Sequence, residues 1–80
     1  MSRYLASLYG QYNIRFNNII LGGIERGQPQ VFIDRYKELV PLKRMGNEDD
    51  IKGPIIFLAS ELSRYVTGQD LHVDGGFSII

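Results

Sequence analysis

Hydrophobic and polar positions change their period several times along this chain, and each change marks an element. From Ser2 to Tyr12 the apolar residues Leu5, Leu8, Tyr9 and Tyr12 recur at helical spacing, with Gly10 near the end, where a helix commonly stops. Only Ser2 is placed to receive the first amides, so this reads as the last turns of a helix that begins part-way along. Between Tyr12 and Ile24 the pattern becomes that of a strand. Ile14, Phe16, Asn18 and Ile20 fall on one face and Arg15, Asn17, Ile19 and Leu21 on the other. Apolar character reaches both faces, most strongly toward the end, as in an inner strand of a parallel sheet with helices on both sides. The strand stops at Gly22-Gly23, where missing Cβ atoms permit a tight turn and close approach of backbone to a ligand. In open parallel sheets ligands sit beyond the carboxyl ends of strands, so chemistry is expected first at this turn.

The segment from Ile24 to Gln30 is too polar and broken for regular structure and reads as a loop. Pro29 suits the first turn of a following helix, whose apolar stripe is Val31, Phe32, Arg35, Tyr36 and Leu39, and Pro41 ends it. Asn47 is then a good N-cap, and Glu48, Asp49 and Asp50 meet the positive end of a helix dipole. The helix so started carries Ile51, Ile55, Leu58 and Leu62 on one face, widened by Ile56 and Ala59, and is expected to run to about Ser63. Pro54 cannot donate to the carbonyl of Asp50, which predicts a kink or a loosened first turn. Thr67-Gly68 turns the chain, Asp70 to Asp74 alternates as a short strand, and Gly75-Gly76 breaks it. The apolar tail Phe77-Ser78-Ile79-Ile80 is expected to pack on something.

Helix end, strand, short helix, long helix, strand is an α/β order. A helical crossover between two strands of one sheet makes them parallel. Two strands alone are too few for independent stability, and the first is bare where neighbours should pair with it.

Composition narrows the function classes. Eighty residues make a single domain at most, with a modest core. Nine basic residues balance nine acidic ones, so no electrostatic footprint points to nucleic acid or an anionic membrane. Cysteine is absent, which removes thiolate metal sites and disulfides and fits a reducing compartment. No apolar run reaches the roughly 18 residues of a membrane span, and no signal-peptide segment follows Met1-Ser2-Arg3. A cytoplasmic protein is expected.

The motifs carry more than the composition. Tyr12-Asn13-Ile14-Arg15-Phe16-Asn17, Gly22-Gly23-Ile24, Pro41-Leu42-Lys43-Arg44-Met45-Gly46, Glu48-Asp49-Asp50-Ile51, Phe57-Leu58-Ala59-Ser60, Tyr65-Val66-Thr67-Gly68-Gln69 and Val73-Asp74-Gly75-Gly76 occur in this order. Together they resemble the C-terminal part of a short-chain dehydrogenase/reductase, a family of nicotinamide-dependent oxidoreductases built on a Rossmann-type parallel sheet. The resemblance spans essentially the whole chain. It implies NAD or NADP as cofactor of the complete fold, and a turn whose backbone at Leu21, Gly22 and Ile24 faces the nicotinamide carboxamide. Leu21 stands where the family usually has proline, and Arg26 where a threonine commonly reaches the cofactor, although a guanidinium could still face a phosphate.

The family's glycine-rich dinucleotide loop and its Asn, Ser and Tyr-x-x-x-Lys constellation all fall before Met1 in this alignment of motifs. The fourth residue after Tyr4, Tyr9, Tyr12, Tyr36 and Tyr65 is Leu8, Asn13, Phe16, Val40 and Gln69, never lysine. No catalytic residue is therefore assigned, and the chain alone is expected neither to bind the cofactor nor to transfer hydride. The remaining polar groups have simpler readings. His72 is the only histidine and reads as a surface or interface residue, Lys43-Arg44 as solvated, the three acids as a helix start, and Asp74 as a carboxylate satisfying nearby amides.

Three functions stay open. The chain is a segment of a short-chain oxidoreductase that needs a complementary N-terminal segment. Or it is a non-enzymatic self-association module, pairing as family members commonly do through the long helix from Ile51 to Ser63 and the last strand from Leu71 to Val73. Or it is a decayed product with no activity.

Overall fold

Two parallel strands hold the chain together. β1 (Asn18–Leu21) pairs with β2 (Asp70–Val73) in the register Asn18 to Asp70, Ile19 to Leu71, Ile20 to His72 and Leu21 to Val73. The computed structural model describes residues 2–80. Around the strands lie α1 (Ser2–Tyr9), followed by a 3-10 turn over Gly10–Tyr12, and on the crossover α2 (Gln30–Leu39) and α3 (Glu48–Ala59). Short 3-10 turns cover Glu61–Ser63 and Phe77–Ile79. The architecture is α/β with parallel strands, as the order of elements implies.

β1 is shorter than the alternation suggests, because a ladder needs a partner and β2 supplies only four residues. Asn13 turns the chain with a φ of 60°, and 14–17 run without a regular ladder. The predicted facing nevertheless holds. Asn13, Arg15, Asn17 and Ile19 share one cleft with Ile55 and Leu58, on the α3 side. Asn18 turns the other way, its amide donating to Ser2 Oγ at the start of α1 (2.9 Å).

What replaces the ladder over 14–17 is side-chain bonding. The Arg15 guanidinium donates to the carbonyls of Ser63 (2.8 Å), Val66 (3.1 Å), Leu58 (3.1 Å) and Ser60 (3.4 Å), and to Ser63 Oγ (2.9 Å). Asn17 donates to Val66 O (3.0 Å) and accepts from Gln69 N–H (3.1 Å). These two residues tie the entry to β1 against the whole connection from α3 to β2. The cation also sits at the carbonyl end of α3, where positive charge is favoured.

α3 starts where expected. Asn47 Oδ1 accepts the amides of Asp49 (3.0 Å) and Asp50 (3.2 Å), while Asp50 accepts the Asn47 N–H (2.9 Å), a reciprocal capping box. Arg44, expected to be solvated, instead grips Asp50 bidentately at 2.7 and 2.9 Å. Arg44 and the Asn47 amide together hold the Asp50 carboxyl down at about 2. The helix continues through Pro54 and ends at Ala59 rather than Ser63, because Ser60 adopts extended backbone (ψ 171°) and caps the following 3-10 turn.

The buried face of α2 differs from the predicted stripe. Ile33 and Val40 are buried and Tyr36 half-buried, whereas Val31, Phe32 and Leu39 are exposed. Position 36 belongs to both stripes, but the loop before the helix sets which neighbouring residues turn inward. Pro29 sits one place earlier than expected, at the cap. Among the described residues the buried apolar side chains are Ala6, Ile33, Val40 and Met45. The radius of gyration is 15.3 Å, against about 12 Å for a closed domain of this length. Apolar residues of α1, the 3-10 turn after it and α3 therefore face outward, including Leu8, Tyr12, Ile55 and Ile56.

Candidate functional site

The turn after β1 is built from backbone that neighbouring groups grip from several directions. Leu21, in register with Val73, is the last strand residue and is 42% exposed. The ladder extends one step further through Gly22 N–H to Val73 O (3.0 Å). A Cβ on Gly22 would lie 2.5 Å from Asp74 Cβ, so glycine here is required by the end of β2. Gly23 donates its N–H to the Tyr36 hydroxyl (2.7 Å) and accepts the Gly46 N–H on its carbonyl (2.8 Å). A Cβ on Gly23 would meet the Tyr36 ring at 2.5 Å.

Ile24 bridges to Gly46 in parallel fashion, with Glu25 N–H donating to Gly46 O (2.9 Å). Its carbonyl accepts from Gln28 Nε2 (2.8 Å), and Gln28 Oε1 accepts the Arg26 N–H (2.7 Å). The Ile24 N–H has no hydrogen-bond partner among the described residues. The N–H groups of Gly22, Gly23, Glu25 and Arg26 on either side are bonded, so the Ile24 amide stands out as a donor waiting for an acceptor. The Arg26 side chain is exposed and forms no ion pair among the described residues.

On the β2 side, Asp74 accepts the amides of Gly76 (2.9 Å) and Ser78 (3.1 Å), the first of which does most to lower its pKa. The carboxylate therefore works as a turn anchor, as its place after the strand suggests. His72 is about half exposed, its Nδ1 3.9 Å from Asp74 Oδ2. Between the turn and α3 lies a cavity of about 590 Å³ lined by Ile24, Leu42, Pro54, Leu71, Val73 and Ile79 among others. Among the described residues there is no cluster of three or more metal-binding side chains, and no helix is long and apolar enough to cross a membrane.

Leu21, Gly22 and Ile24 are thus brought to one turn, as their adjacency requires. Tyr36 and Gly46 complete that turn from a distance in sequence. Tyr36 counted only as an apolar stripe residue, and the phenol's role has no local signal. Gly46 lies at the end of Pro41-Leu42-Lys43-Arg44-Met45-Gly46, where only its recurrence in the motif could have marked it.

Comparison with known proteins agrees with this arrangement. A family model described as Enoyl-(Acyl carrier protein) reductase matches residues 1–78. L-rhamnose 1-dehydrogenase (NAD(P)(+)) of Azotobacter vinelandii is 42% identical over 76 residues, covering 88% of this chain and 30% of the relative. The 3-oxoacyl-[acyl-carrier-protein] reductase of Aquifex aeolicus is 34% identical over 79 residues, covering 94% and 32%. Among solved structures, a short chain dehydrogenase from Leptospira borgpetersenii with bound NAD+ superposes with a TM-score of 0.92 at 49% identity, over 96% of this chain and 30% of that one. A 4-hydroxyisoleucine dehydrogenase complexed with NADH gives 0.87 at 29% identity, over 99% and 34%. The α/β arrangement of parallel strands and helices described above is thus shared with these solved dehydrogenases. The chain belongs to the short-chain dehydrogenase/reductase family and matches the C-terminal portion of its fold. It spans about 30% of the length of the relatives it matches.

Proposed function

We propose that this chain forms the wall beside the nicotinamide end of an NAD(P)-dependent short-chain oxidoreductase, and that it is catalytically silent without a complementary N-terminal segment. The observation that carries this reading is the free Ile24 N–H between the bonded amides of Gly22, Gly23, Glu25 and Arg26. An amide donor there suits a carboxamide oxygen, with the backbone of Leu21 and Gly22 forming the surface behind it. The cofactor class rests on family membership and on relatives solved with NAD+ and NADH. When bound, such a cofactor carries the hydride, and the protein supplies orientation and exclusion of water. This chain's part is orientation. It contains no Tyr-x-x-x-Lys to move the accompanying proton.

Mixing the purified chain with the N-terminal two-thirds of a close relative, NADH and a panel of carbonyl substrates tests the proposal. Turnover by the mixture and none by either part supports it. Turnover by the chain alone, or no NADH binding by any combination, removes it.

A second reading is favoured by the outward face of α3. Ile55 and Ile56 on the helix, with Leu62 beyond it, leave exposed apolar surface. Self-association through the stretch from Ile51 to Ser63 and the strand from Leu71 to Val73 would cover it. Sedimentation equilibrium showing only monomer at millimolar concentration would dispose of this pairing.

A further inference from the structure

The Gly22–Ile24 turn is short of local rigidity. Leu21 does not restrict its own φ as a prolyl ring would, and Gly22 and Gly23 are of the least restricted residue type. Yet Gly23 is held at both ends of its backbone, and one of those holds is a side chain. The Tyr36 hydroxyl takes its N–H at 2.7 Å, and the same ring occupies the space where a Cβ would stand. That ring is itself fixed from behind. The Phe77 ring lies parallel to it, at an interplanar angle of 2° with centroids 5.5 Å apart. Phe77 in turn follows the Asp74 anchor, with its own amide bonded to Asp74 O (3.1 Å). Phe32, one turn earlier on α2, lies against the other neighbourhood of Tyr36 with centroids 6.3 Å apart.

We infer that Tyr36 is the positioning residue of the site: its phenol latches the Gly23 peptide, and Phe77 holds the latch in place. The turn, α2 and the segment after β2 then move as one body. A loop without a proline gains through a tertiary contact the restriction that it lacks locally. A shift of α2 or of the C-terminal residues would change the direction of the neighbouring Ile24 N–H. The consequence for cofactor binding rests on the function proposed above, whereas the latch itself does not.

Tyr36→Phe keeps the ring and its stack and deletes only the acceptor. In the full chain, amide exchange at Gly23 followed by NMR is expected to quicken roughly tenfold, what losing one ordinary hydrogen bond gives. The capped amides of Asp49 and Asp50 serve as controls and should not change. Phe77→Leu, which removes the stack and leaves the phenol, should quicken Gly23 exchange by several-fold. Equal Gly23 exchange in wild type and Tyr36→Phe overturns the proposal.

A double-mutant cycle gives an independent measure. Gly23→Ala should shift the folding equilibrium at least tenfold less in a Tyr36→Ala background than in wild type, because the ring it strikes is gone. Additive effects would also overturn the latch. Where the complementary segment is present, Tyr36→Phe should weaken NADH binding several-fold, and unchanged affinity with faster Gly23 exchange would refute the link to the cofactor. If wild type binds no NADH in any combination, the proposed function falls while Gly23 exchange still decides the latch.

Discussion

Arg15→Ala tests what joins the two strands. Five acceptors surround the guanidinium, at 2.8 to 3.4 Å. If each charged hydrogen bond contributed its usual ~1.5–3 kcal/mol, the sum would rival the ~5–15 kcal/mol stability of a whole domain. Simple addition overstates the loss, because no carbonyl is orphaned by the change. Ser63 O still accepts from Val66 N–H (2.9 Å), Val66 O from Asn17 (3.0 Å), Leu58 O from Ser63 Oγ (3.2 Å) and Ser60 O from Ser63 N–H (3.2 Å). What disappears is the charge-assisted surplus and the attraction of the cation to the carbonyl end of α3. Together these are expected to cost about 2–4 kcal/mol. Lysine keeps the charge but not the planar fork that reaches both the α3 end and the 63–66 turn, so Arg15→Lys should lose about half as much. Urea unfolding followed by circular dichroism measures both. A loss below about 0.5 kcal/mol for the alanine variant would refute the reasoning, since a residue with so many acceptors cannot be that cheap to remove if the connection depends on it.

Further outcomes follow from the same geometry. Asp50 has a folded-state pKa of about 2, below its ordinary 3.8, so its contribution is complete above the higher value and is lost as pH falls through the lower one. Asp50→Asn should flatten the acid limb of a stability-against-pH curve between those values, and an unchanged limb would exclude Asp50 as its source. Gly22→Ala places a Cβ 2.5 Å from Asp74 Cβ and 2.7 Å from Asp74 Cα, and should destabilise by about 1–3 kcal/mol on denaturation. Val40→Ala empties the largest fully buried apolar position, at an expected cost of about 1.5–3 kcal/mol. Ile56, 63% exposed, should behave oppositely: Ile56→Asp leaves the monomer's denaturation midpoint within about 0.5 kcal/mol of wild type and, if α3 mediates self-association, abolishes the dimer in sedimentation.

Some parts of the fold were legible because their causes are local. The Asn47 start of α3 depends on one side chain and the next three residues, and it formed as the sequence indicates, with Asp50 closing the box. The alternation of Arg15, Asn17 and Ile19 against Asn18 predicted facing correctly even where no ladder formed, because side-chain direction along extended backbone needs no partner. Lengths were less legible. β1 shrank to the reach of β2, and α3 stopped at Ala59, where Ser60 departs from helical backbone. The candidate turn was found from Gly22-Gly23 and from family motifs, but the reason for its glycines was not.

By itself, the sequence determined the element order, the parallel pairing, the family and the place of the turn. The elements and the turn follow from periodicity, capping and glycines within a few neighbouring residues. The parallel pairing follows from the helical crossover between the strands, and the family from the order of motifs along the chain. Tertiary structure alone decided which side of α2 is buried, that Arg44 pairs with Asp50, that Arg15 serves the end of α3, and that Tyr36 and Asp74 take up the space in front of the two glycines. These contacts join residues from 6 to 52 positions apart, as the span from Gly22 to Asp74 illustrates. Hydrogen bonds and steric exclusion act over a few ångströms of space, and distance along the chain does not reveal which groups will come that close.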